Sequence, residues 1–387
     1  MALCFGTFPP EHNGGSDYVS ALAGSLAGTG LDVTVITSPY PDAPEEEEPV
    51  PGVRVLRLMD DWSPSSRGRR SLGRANAALD DAGVELVHVF FPDSVVAERY
   101  RDSALLGIGR IPLVTTFWNL GLGRASPLGL RIASLALLAR SRALTSHDPF
   151  YLAALARVAG SRRVRWLPVG STVPADLTAG PGEARRRLEL DRDASWLTYF
   201  GQMDPTRGLD DLFEALALLR RTRDVRLLMV GSAGRPHRYA DSGRTVHEEF
   251  LRLRSLPERL GIGEAVRWTD YLPPEEVALH LRAADCCVLP YRRNSIGRSA
   301  LAAALELGCP TVLGGTAAGI VPLRSGEHVL ASPPADPKAL AEAVARVLDD
   351  DALRARLAEG GHRISRVFSW PRITAAAVDV YREAVAR

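Results

Sequence analysis

The first forty residues contain a pattern that strongly restricts the fold. An apolar strand that starts at Ala2 leads into a proline-bounded loop, and this loop ends in Gly14-Gly15. Apolar residues then recur at helical spacing from 19 to 26, and the run 33–36 is typical of a buried strand. The segment is therefore predicted to be a strand–helix–strand unit. Two adjacent glycines at the start of its helix let a ligand approach the backbone, and amides there favour anionic groups such as a diphosphate.

The same alternation continues along the chain in two series. The first series has candidate strands at 2–7, 33–37, 53–58, 86–91, 113–116, 143–146 and 164–168. After a polar segment, the second series has them at 196–201, 225–231, 265–269, 286–290, 311–314 and 328–331. Such alternation predicts an α/β chain with two Rossmann-like parallel-sheet domains, and a ligand cleft between them at the carboxyl ends of the strands. The stretches 42–50 and 62–73 are predicted to be surface loops.

Composition narrows the function classes. The net charge of +1 over 387 residues gives no electrostatic basis for binding nucleic acid. The four cysteines lack the spacing of a metal site and are expected to be reduced and buried. The chain shows neither a signal peptide nor an apolar run of about 18 residues, which predicts a cytoplasmic protein. Basic residues are arginines almost without exception, which indicates a high-GC bacterial coding bias.

Several short motifs occur in an order that resembles one enzyme family. Besides the Gly-Gly loop, they lie at 86–89, 167–170, 200–202, 207–209, 230–232, 283–285, 307–310 and 324–328. Their order over nearly the whole chain is similar to that of the two-Rossmann (type B) glycosyltransferases, and most similar to the retaining family 4. The resemblance implies an acceptor domain over 1–172 and a nucleotide-sugar donor domain over 173–366. It also implies a last helix over 367–387 that crosses back to the first domain.

The resemblance implies which residues bind the donor. Arg207, followed by Gly208, occupies the place of the family's phosphate-binding lysine, and arginine keeps the charge and adds a bidentate fork. Gln202 stands where the family usually has an arginine, so a hydrogen-bond donor is kept and the positive charge is lost. Outside the loop at 292–299, the predicted donor-binding set is completed by Gly14, Gly15, Gly231 and Leu272.

The loop at 292–299 departs from the family pattern. The family has two glutamates eight residues apart in this region, the first of which orients the donor sugar and the second the ribose. Counting back from Gly308 places them on Ser295 and Ala303, so both glutamates are absent. Glu306 lies one turn beyond Ala303, where it either compensates or is an ordinary surface glutamate.

The backbone of this loop still suits a phosphate ligand. It leads into an apolar helix at 300–307, and amides at the start of a helix bind diphosphate groups well. Arginines in the loop would add positive charge. The predicted donor-binding residues here are Arg293, Ser295, Arg298 and Ser299.

Three residues of the first domain are candidate catalytic residues. After the strand at 113–116 the family tends to carry a histidine near the reaction centre. Here the position is Trp118, which either stacks on an acceptor ring or packs in the core. His147 and Asp148 follow the next strand at its carboxyl end, and His147 is a candidate general base or acceptor contact. His88 lies within an apolar strand and is expected to be a core histidine.

These features predict a retaining glycosyltransferase that moves a sugar from a nucleoside diphosphate to a natural product or an envelope glycan precursor. Asp191-Arg192-Asp193 matches a metal-binding Asp-x-Asp, but it lies in a polar segment before a strand, and type B enzymes do not need it. No metal or cofactor is therefore expected. Membrane contact is expected only as a peripheral contact with a lipid-linked acceptor.

The absent glutamates leave alternatives open. One is a pseudo-glycosyltransferase that couples an unusual donor within the same fold. Another is a non-catalytic subunit that binds a sugar nucleotide and supports a partner enzyme. A sugar-nucleotide epimerase of the same two-domain build is a weaker alternative, because its acid–base carboxylates and histidines are not evident at matching places.

Overall fold

The computed structural model describes residues 1–11, 13–62, 65–91, 111–118, 122, 128–175, 179–203, 207–232, 245–292, 297–315 and 323–386. The chain divides into two compact units. The first consists of Met1–Pro168 together with Trp370–Arg387, and the second of Val169–Ser369. Each unit is built around a predominantly parallel sheet with helices. The predicted α/β fold with two Rossmann-like domains is confirmed.

The sheet of the first unit has eight strands in the described residues. They are β1 Ala2–Cys4, β2 Val33–Ile36, β3 Glu46–Val50, β4 Val53–Leu56, β5 Val87–Phe91, β6 Leu113–Phe117, β7 Ala143–Ser146 and β8 Val164–Trp166. Their order is β3-β4-β2-β1-β5-β6-β7-β8, and all neighbours are parallel except β3 and β4. Strands β2 to β4 therefore lie on one side of β1, and the later strands β5 to β8 lie on the other. The carboxyl ends of β1 and β5 form a topological switch point, where α/β folds place ligands.

The connecting helices of this unit are α1 Gly14–Ala27, α2 Ser66–Asp81, α3 Leu128–Arg140 and α4 Pro149–Ala159. Helices α2, α3 and α4 contribute buried aliphatic side chains, among them Leu79, Leu137 and Leu155, to one core with residues of β1 and β5. Strands β5 to β8 follow one another across the sheet. Right-handed crossovers therefore place α3 and α4 side by side on the same face.

The prediction of a loop over 42–50 is wrong for 46–50, whereas 42–45 lie outside helices and strands. The acidic stretch contains β3, an antiparallel edge strand. Glu46 pairs with Arg54 at 2.6 Å, and Glu47 pairs with the buried Arg57 at 2.5 Å. Backbone pairing and these ion pairs hold a segment whose side chains are mostly exposed, so the apolar alternation expected of a strand is missing.

The prediction of a loop over 62–73 is also wrong for 66–73, which belong to α2. Helix α2 begins after Ser65, whose hydroxyl caps the helix by accepting from the Gly68 amide at 3.0 Å. At the start of the stretch, Trp62 is buried and donates its indole N–H to the Ser38 hydroxyl at 2.8 Å. The polar composition of α2 arises because few of its positions face the core.

The sheet of the second unit has six strands in the described residues, and all neighbouring strands are parallel. They are β9 Ser195–Phe200, β10 Val225–Val230, β11 Val266–Trp268, β12 Cys286–Leu289, β13 Thr311–Gly314 and β14 Leu330–Ser332, in the order β11-β10-β9-β12-β13-β14. The helices are α5 Pro181–Arg187, α6 Leu209–Leu219, α7 Val246–Arg259, α8 Pro274–Ala283, α9 Ser299–Glu306, α10 Pro337–Asp349 and α11 Asp351–Ser365. The switch point of this sheet lies between β9 and β12.

The last helix, α12 Trp370–Ala386, belongs to the first unit and packs on α1. Its Tyr381 hydroxyl lies 2.8 Å from Nδ1 of His88 on β5. Its Thr374 hydroxyl lies 2.6 Å from that of Ser25 on α1. Hydrogen bonds to both a helix and a strand therefore tie α12 to the first unit.

Candidate functional site

Two glycines of the second unit hold the segment that follows β12. Gly208 precedes α6 with a φ of 72°, and a Cβ there would lie 2.0 Å from the carbonyl oxygen of Pro290. Gly314 ends β13, and a Cβ there would lie 2.8 Å from the Pro290 carbonyl carbon and 2.9 Å from the Tyr291 carbonyl oxygen. The backbones approach more closely than a side chain permits. They therefore fix the position of Pro290-Tyr291 at the carboxyl end of the sheet.

The Tyr291 ring brings together two of the arginines predicted to bind the donor. The guanidinium carbon of Arg207 lies 5.8 Å from the ring centroid, and that of Arg298 lies 5.7 Å from it. Both distances are within the range of cation–π attraction. Tyr291 is buried, whereas both arginines are partly exposed. We call Arg207, Tyr291 and Arg298 the arginine–tyrosine cluster, which places two positive charges at one end of the sheet.

Helix α9 begins directly after Arg298, beside this cluster. Arg298 occupies the N-cap position with an extended backbone, and in the described part of the chain no side chain caps the helix. The amides of the first turn, at Ser299 and Ala300, therefore form the positive end of the helix dipole without a side-chain cap. Two guanidinium groups and a helix N-terminus together suit a phosphate ligand.

Two carboxylates in the first turn of α6 bind other arginines. Asp211 accepts two hydrogen bonds from Arg292, each at 2.8 Å. Asp210 accepts two from Arg252 of α7, at 2.7 and 3.0 Å. These bidentate hydrogen bonds raise the pKa of both arginines. These hydrogen bonds hold α6 against α7 and against Arg292, the residue that follows Tyr291. They therefore restrain the position of the arginine–tyrosine cluster.

Three further residues predicted to bind the donor follow the carboxyl ends of strands. Gly231, with a φ of 133°, lies against Gly201, and a Cβ on it would lie 2.1 Å from the Gly201 carbonyl oxygen. The close contact between two strand ends therefore accounts for this glycine. The Tyr199 hydroxyl donates to the Gln202 carbonyl at 2.6 Å and fixes the loop after β9. Leu272 is half-buried in the turn before α8.

The positions related to the two absent family glutamates lie in different surroundings. Arg293 and Ser295 lie outside the described residues. Ala303 is fully buried in α9. Glu306 ends that helix, half-buried, and burial raises its pKa although Ser171 hydrogen-bonds to its side chain. Glu306 lies at the opposite end of α9 from the arginine–tyrosine cluster, and its contact with Ser171 gives it a structural role.

The Gly-Gly loop of the first unit makes most of its described contacts with the side chains of Asn13 and Trp118. Asn13 caps α1 by accepting hydrogen bonds from the amides of Gly15 and Ser16, at 3.0 and 2.9 Å. A Cβ on Gly15 would lie 2.4 Å from the Trp118 ring, whereas nothing lies within 4 Å of a Cβ on Gly14. Packing against the indole therefore accounts for Gly15. The backbone at Gly14 remains open to a ligand.

Trp118 belongs to an aromatic cluster at the carboxyl ends of the first sheet's central strands. Its ring centroid lies 5.0 Å from that of Phe5 and 5.6 Å from that of His147, and Tyr18 lies 6.4 Å from His147. The Trp118 indole nitrogen and the Tyr18 hydroxyl are buried without a hydrogen-bond partner among the described residues. Unpaired buried donors are costly. They therefore suit a polar ligand that would pair with them.

The remaining candidates of the first unit have structural partners. His88 is fully buried, with Nε2 2.7 Å from the Thr116 hydroxyl and Nδ1 beside Tyr381. Burial lowers the pKa of His88 to about 3, so it is the neutral core histidine that the sequence predicts. Asp148 precedes α4, and its carbonyl accepts the Leu152 amide at 3.0 Å.

Within the described ranges, no group of three or more histidines, cysteines and carboxylates is arranged to hold a metal ion. Asp191 of the Asp-x-Asp sequence pairs instead with Arg226 at 2.9 Å. The four cysteines are free and buried, as predicted. None of the described helices is long and apolar enough to cross a membrane.

Family models match both halves of the chain. Residues 12–170 match the model described as Glycosyltransferase Family 4, and residues 182–363 match that of Glycosyl transferases group 1. The D-inositol 3-phosphate glycosyltransferase of Acidothermus cellulolyticus is 26% identical over 396 residues, which cover 95% of this chain and 85% of that protein.

Solved structures resemble the whole chain. Sucrose-phosphate synthase from Thermosynechococcus elongatus has a TM-score of 0.80 at 23% identity, and the match covers 100% of this chain and 98% of that one. Anabaena Alr3699/HepE in complex with UDP-glucose has a TM-score of 0.73 at 15% identity, with 99% of both chains covered. At these identities the similarity establishes the shared fold.

Proposed function

The chain is a two-Rossmann glycosyltransferase of the family 4-like type, and we propose that it is a retaining enzyme that needs no metal and uses a nucleoside diphosphate sugar. The observation that carries this proposal is the arginine–tyrosine cluster beside the start of α9. Glycosyl transfer breaks the bond between the anomeric carbon and the diphosphate, so negative charge develops on the leaving group. Arg207, Arg298 and the first-turn amides of α9 are suited to stabilise that charge.

The cluster also supports the proposal that the reaction proceeds without a metal ion. In metal-dependent transferases a divalent cation neutralises the diphosphate. Here two guanidinium groups on one aromatic ring offer fixed positive charge, and arginine stays protonated at any working pH. The bidentate pairs of Asp210 and Asp211 keep the supporting helices in place, so little reorganisation is needed when charge develops.

The identity of the donor is supported by a structural neighbour. The Anabaena protein is a complex with UDP-glucose. We take uridine diphosphate sugars as the first candidates for this chain, with other nucleoside diphosphates as the alternatives to be compared.

The acceptor is proposed to bind at the aromatic cluster of the first unit. The relative from Acidothermus is named for D-inositol 3-phosphate, a ring with several hydroxyl groups. The buried donors of Tyr18 and Trp118 suit acceptor hydroxyl groups, and the Trp118 ring offers a stacking surface. His147, at the carboxyl end of β7, is proposed as an acceptor contact or general base. A polyhydroxylated small molecule or a glycan precursor fits this set.

A second candidate function rests on the α9 sequence. Ala303 is fully buried where the resemblance places a ribose-binding glutamate, and Ser295 replaces the glutamate that orients the donor sugar. A chain that keeps the phosphate contacts and lacks both carboxylates is also compatible with a pseudo-glycosyltransferase or with a subunit that binds a sugar nucleotide without transferring it.

Calorimetric titration with nucleoside diphosphates and their sugars, in the presence of Mg²⁺ or of EDTA, tests the donor site. Arg207→Ala and Arg298→Ala are each expected to weaken UDP binding by at least about 1 kcal/mol, roughly fivefold, because each removes a charge-assisted contact. The matched control is Arg221→Ala, an exposed arginine after α6, which should bind as the wild type does. Unchanged affinity in both cluster variants would remove this site from the mechanism.

Product analysis then separates the two candidate functions. The enzyme is incubated with the donor that binds and with a panel of polyols and glycan precursors, and the anomeric configuration of the product is read by NMR. Transfer with retention in the presence of EDTA supports the main proposal. An inverted product or an absolute need for metal contradicts it. Donor binding with no transfer to any acceptor favours the second candidate.

A further inference from the structure

Helix α3 carries an exposed apolar stripe. Leu128, Ile132 and Leu135 recur at intervals of four and three residues and are 70%, 52% and 55% exposed, so they form one face of the helix. The opposite face, with Leu130 and Leu137, is buried in the core of the first unit. Single exposed aliphatic residues are ordinary, whereas three on one face of a 13-residue helix mark an interaction surface.

Helix α4 carries a further exposed aliphatic residue, Val158. The two helices lie on the same face of the sheet, and their ends are linked. Arg163, which follows α4, donates to the carbonyl of Leu138 at 3.0 Å and to that of Ser141, at the end of α3. We name the α3–α4 patch by its four members, Leu128, Ile132, Leu135 and Val158.

The segment that contains the patch is strongly basic. From 103 to 175 the chain has nine arginines and one acidic residue, Asp148, which gives a net charge of +8 where the whole chain has +1. Arg131 on α3 and Arg157 on α4 are exposed, and neither forms an ion pair with a described residue. Helix α3 itself contains no carboxylate. The helices that carry the patch therefore combine exposed aliphatic side chains with two exposed arginines, Arg131 and Arg157.

We propose that the α3–α4 patch docks the first unit on an anionic lipid bilayer. Exposed aliphatic side chains next to exposed arginines suit the lipid interface, where the aliphatic chains enter the headgroup region and arginines pair with lipid phosphates. Helix α3 has 13 residues and two arginines, so it lies on the membrane and does not span it. The exposed members of the patch are aliphatic, whereas protein hot spots are usually built from Trp, Tyr and Arg anchors.

A second copy of the chain is a poorer partner for this surface, because two such basic faces would repel one another. All four members of the patch belong to the first unit, whereas the arginine–tyrosine cluster belongs to the second. The proposal therefore goes beyond sugar transfer and is tested without any nucleotide.

Vesicle co-sedimentation tests the proposal. The full chain is mixed with vesicles of phosphatidylglycerol and phosphatidylcholine, and separately with vesicles of phosphatidylcholine alone. We expect binding to the anionic vesicles that weakens as salt rises. Ile132→Gln combined with Leu135→Gln should lower the partition coefficient more than about tenfold, and so should Arg131→Glu combined with Arg157→Glu.

The matched control is Leu251→Gln on α7 of the second unit, because Leu251 is 52% exposed, as Ile132 is. It should bind vesicles as the wild type does. Thermal unfolding of each variant should match the wild type, since all substituted side chains are exposed. Absence of binding to anionic vesicles, or equal binding by both double variants and the wild type, would overturn the proposal. Sedimentation velocity that shows a dimer disrupted by the aliphatic variant, with no vesicle binding, would assign the patch to a second copy instead.

Discussion

His88 makes the stability of the first unit depend on pH. Its ring is fully buried, and burial lowers its pKa to about 3, whereas an unfolded histidine has a pKa of about 6.5. Below pH 6.5 the unfolded chain therefore takes up a proton at this residue, and the folded chain does not. The free energy of unfolding consequently falls as the pH falls from 6.5 toward 3, by about 1.4 kcal/mol per pH unit. Between pH 7 and pH 5 the loss is about 2 kcal/mol.

Urea unfolding of the wild type and of His88→Gln at both pH values measures this effect. Pulse hydrogen exchange in peptides from β5 and β6 follows the first unit alone. The variant should be about 1–3 kcal/mol less stable at pH 7, because the hydroxyls of Thr116 and Tyr381 lose well-placed partners. All other titrating groups are shared, so the variant should lose about 2 kcal/mol less than the wild type on acidification. Equal losses in the two proteins would refute the reasoning.

Two further substitutions test the second unit by thermal unfolding and UDP titration. Gly208→Ala should cost more than about 2 kcal/mol and weaken UDP binding, because its Cβ would meet the Pro290 carbonyl and its φ is 72°. Gly30→Ala, with a φ of 86° in open space, is the matched control and should cost only about 1 kcal/mol, so equal losses would contradict the close contact. Ala303→Glu should destabilise the unit, because a carboxylate would replace a fully buried methyl group. Retained stability with tighter UDP binding would show instead that position 303 faces the ribose.

The fold could be predicted because buried parallel strands are apolar runs, and the loops between them carry strong turn residues. The two errors have a physical cause. Strand β3 lies at an edge, where pairing with β4 and the ion pairs of Glu46 and Glu47 hold a nearly all-exposed segment. The first turns of helix α2 bury Gly68 and Ser71, so the start of the helix lacks the apolar residues by which a helix is identified.

The candidate site could be predicted only in part. Arg207 and Arg298 are predicted as donor contacts because each precedes a helix at the place where the resemblance puts phosphate contacts, and the structure places both on the Tyr291 ring. Tyr291, which brings them together, directly follows an apolar strand and has the pattern of an ordinary core residue. Tyr18 lies in α1 among residues with helical core spacing, so its unpaired hydroxyl is visible only in three dimensions. Residues such as Tyr291, which position other side chains, follow no sequence spacing by which they could be identified.

The surroundings of three glycines indicate which groups of this protein are left to bind an anionic ligand. The sequence predicts Gly15, Gly208 and Gly231 as donor-binding residues, with close approach of a ligand to the backbone expected at Gly14-Gly15. In the structure the close approach is made by the Trp118 ring, by Pro290 and by Gly201, respectively. Glycine therefore builds the frame of both sheets here, and we propose that the charge of a bound diphosphate is met by the arginine–tyrosine cluster and by the start of α9, which no described side chain caps. Removing the guanidinium groups should then reduce donor affinity with little loss of stability, whereas substituting the glycines should reduce both.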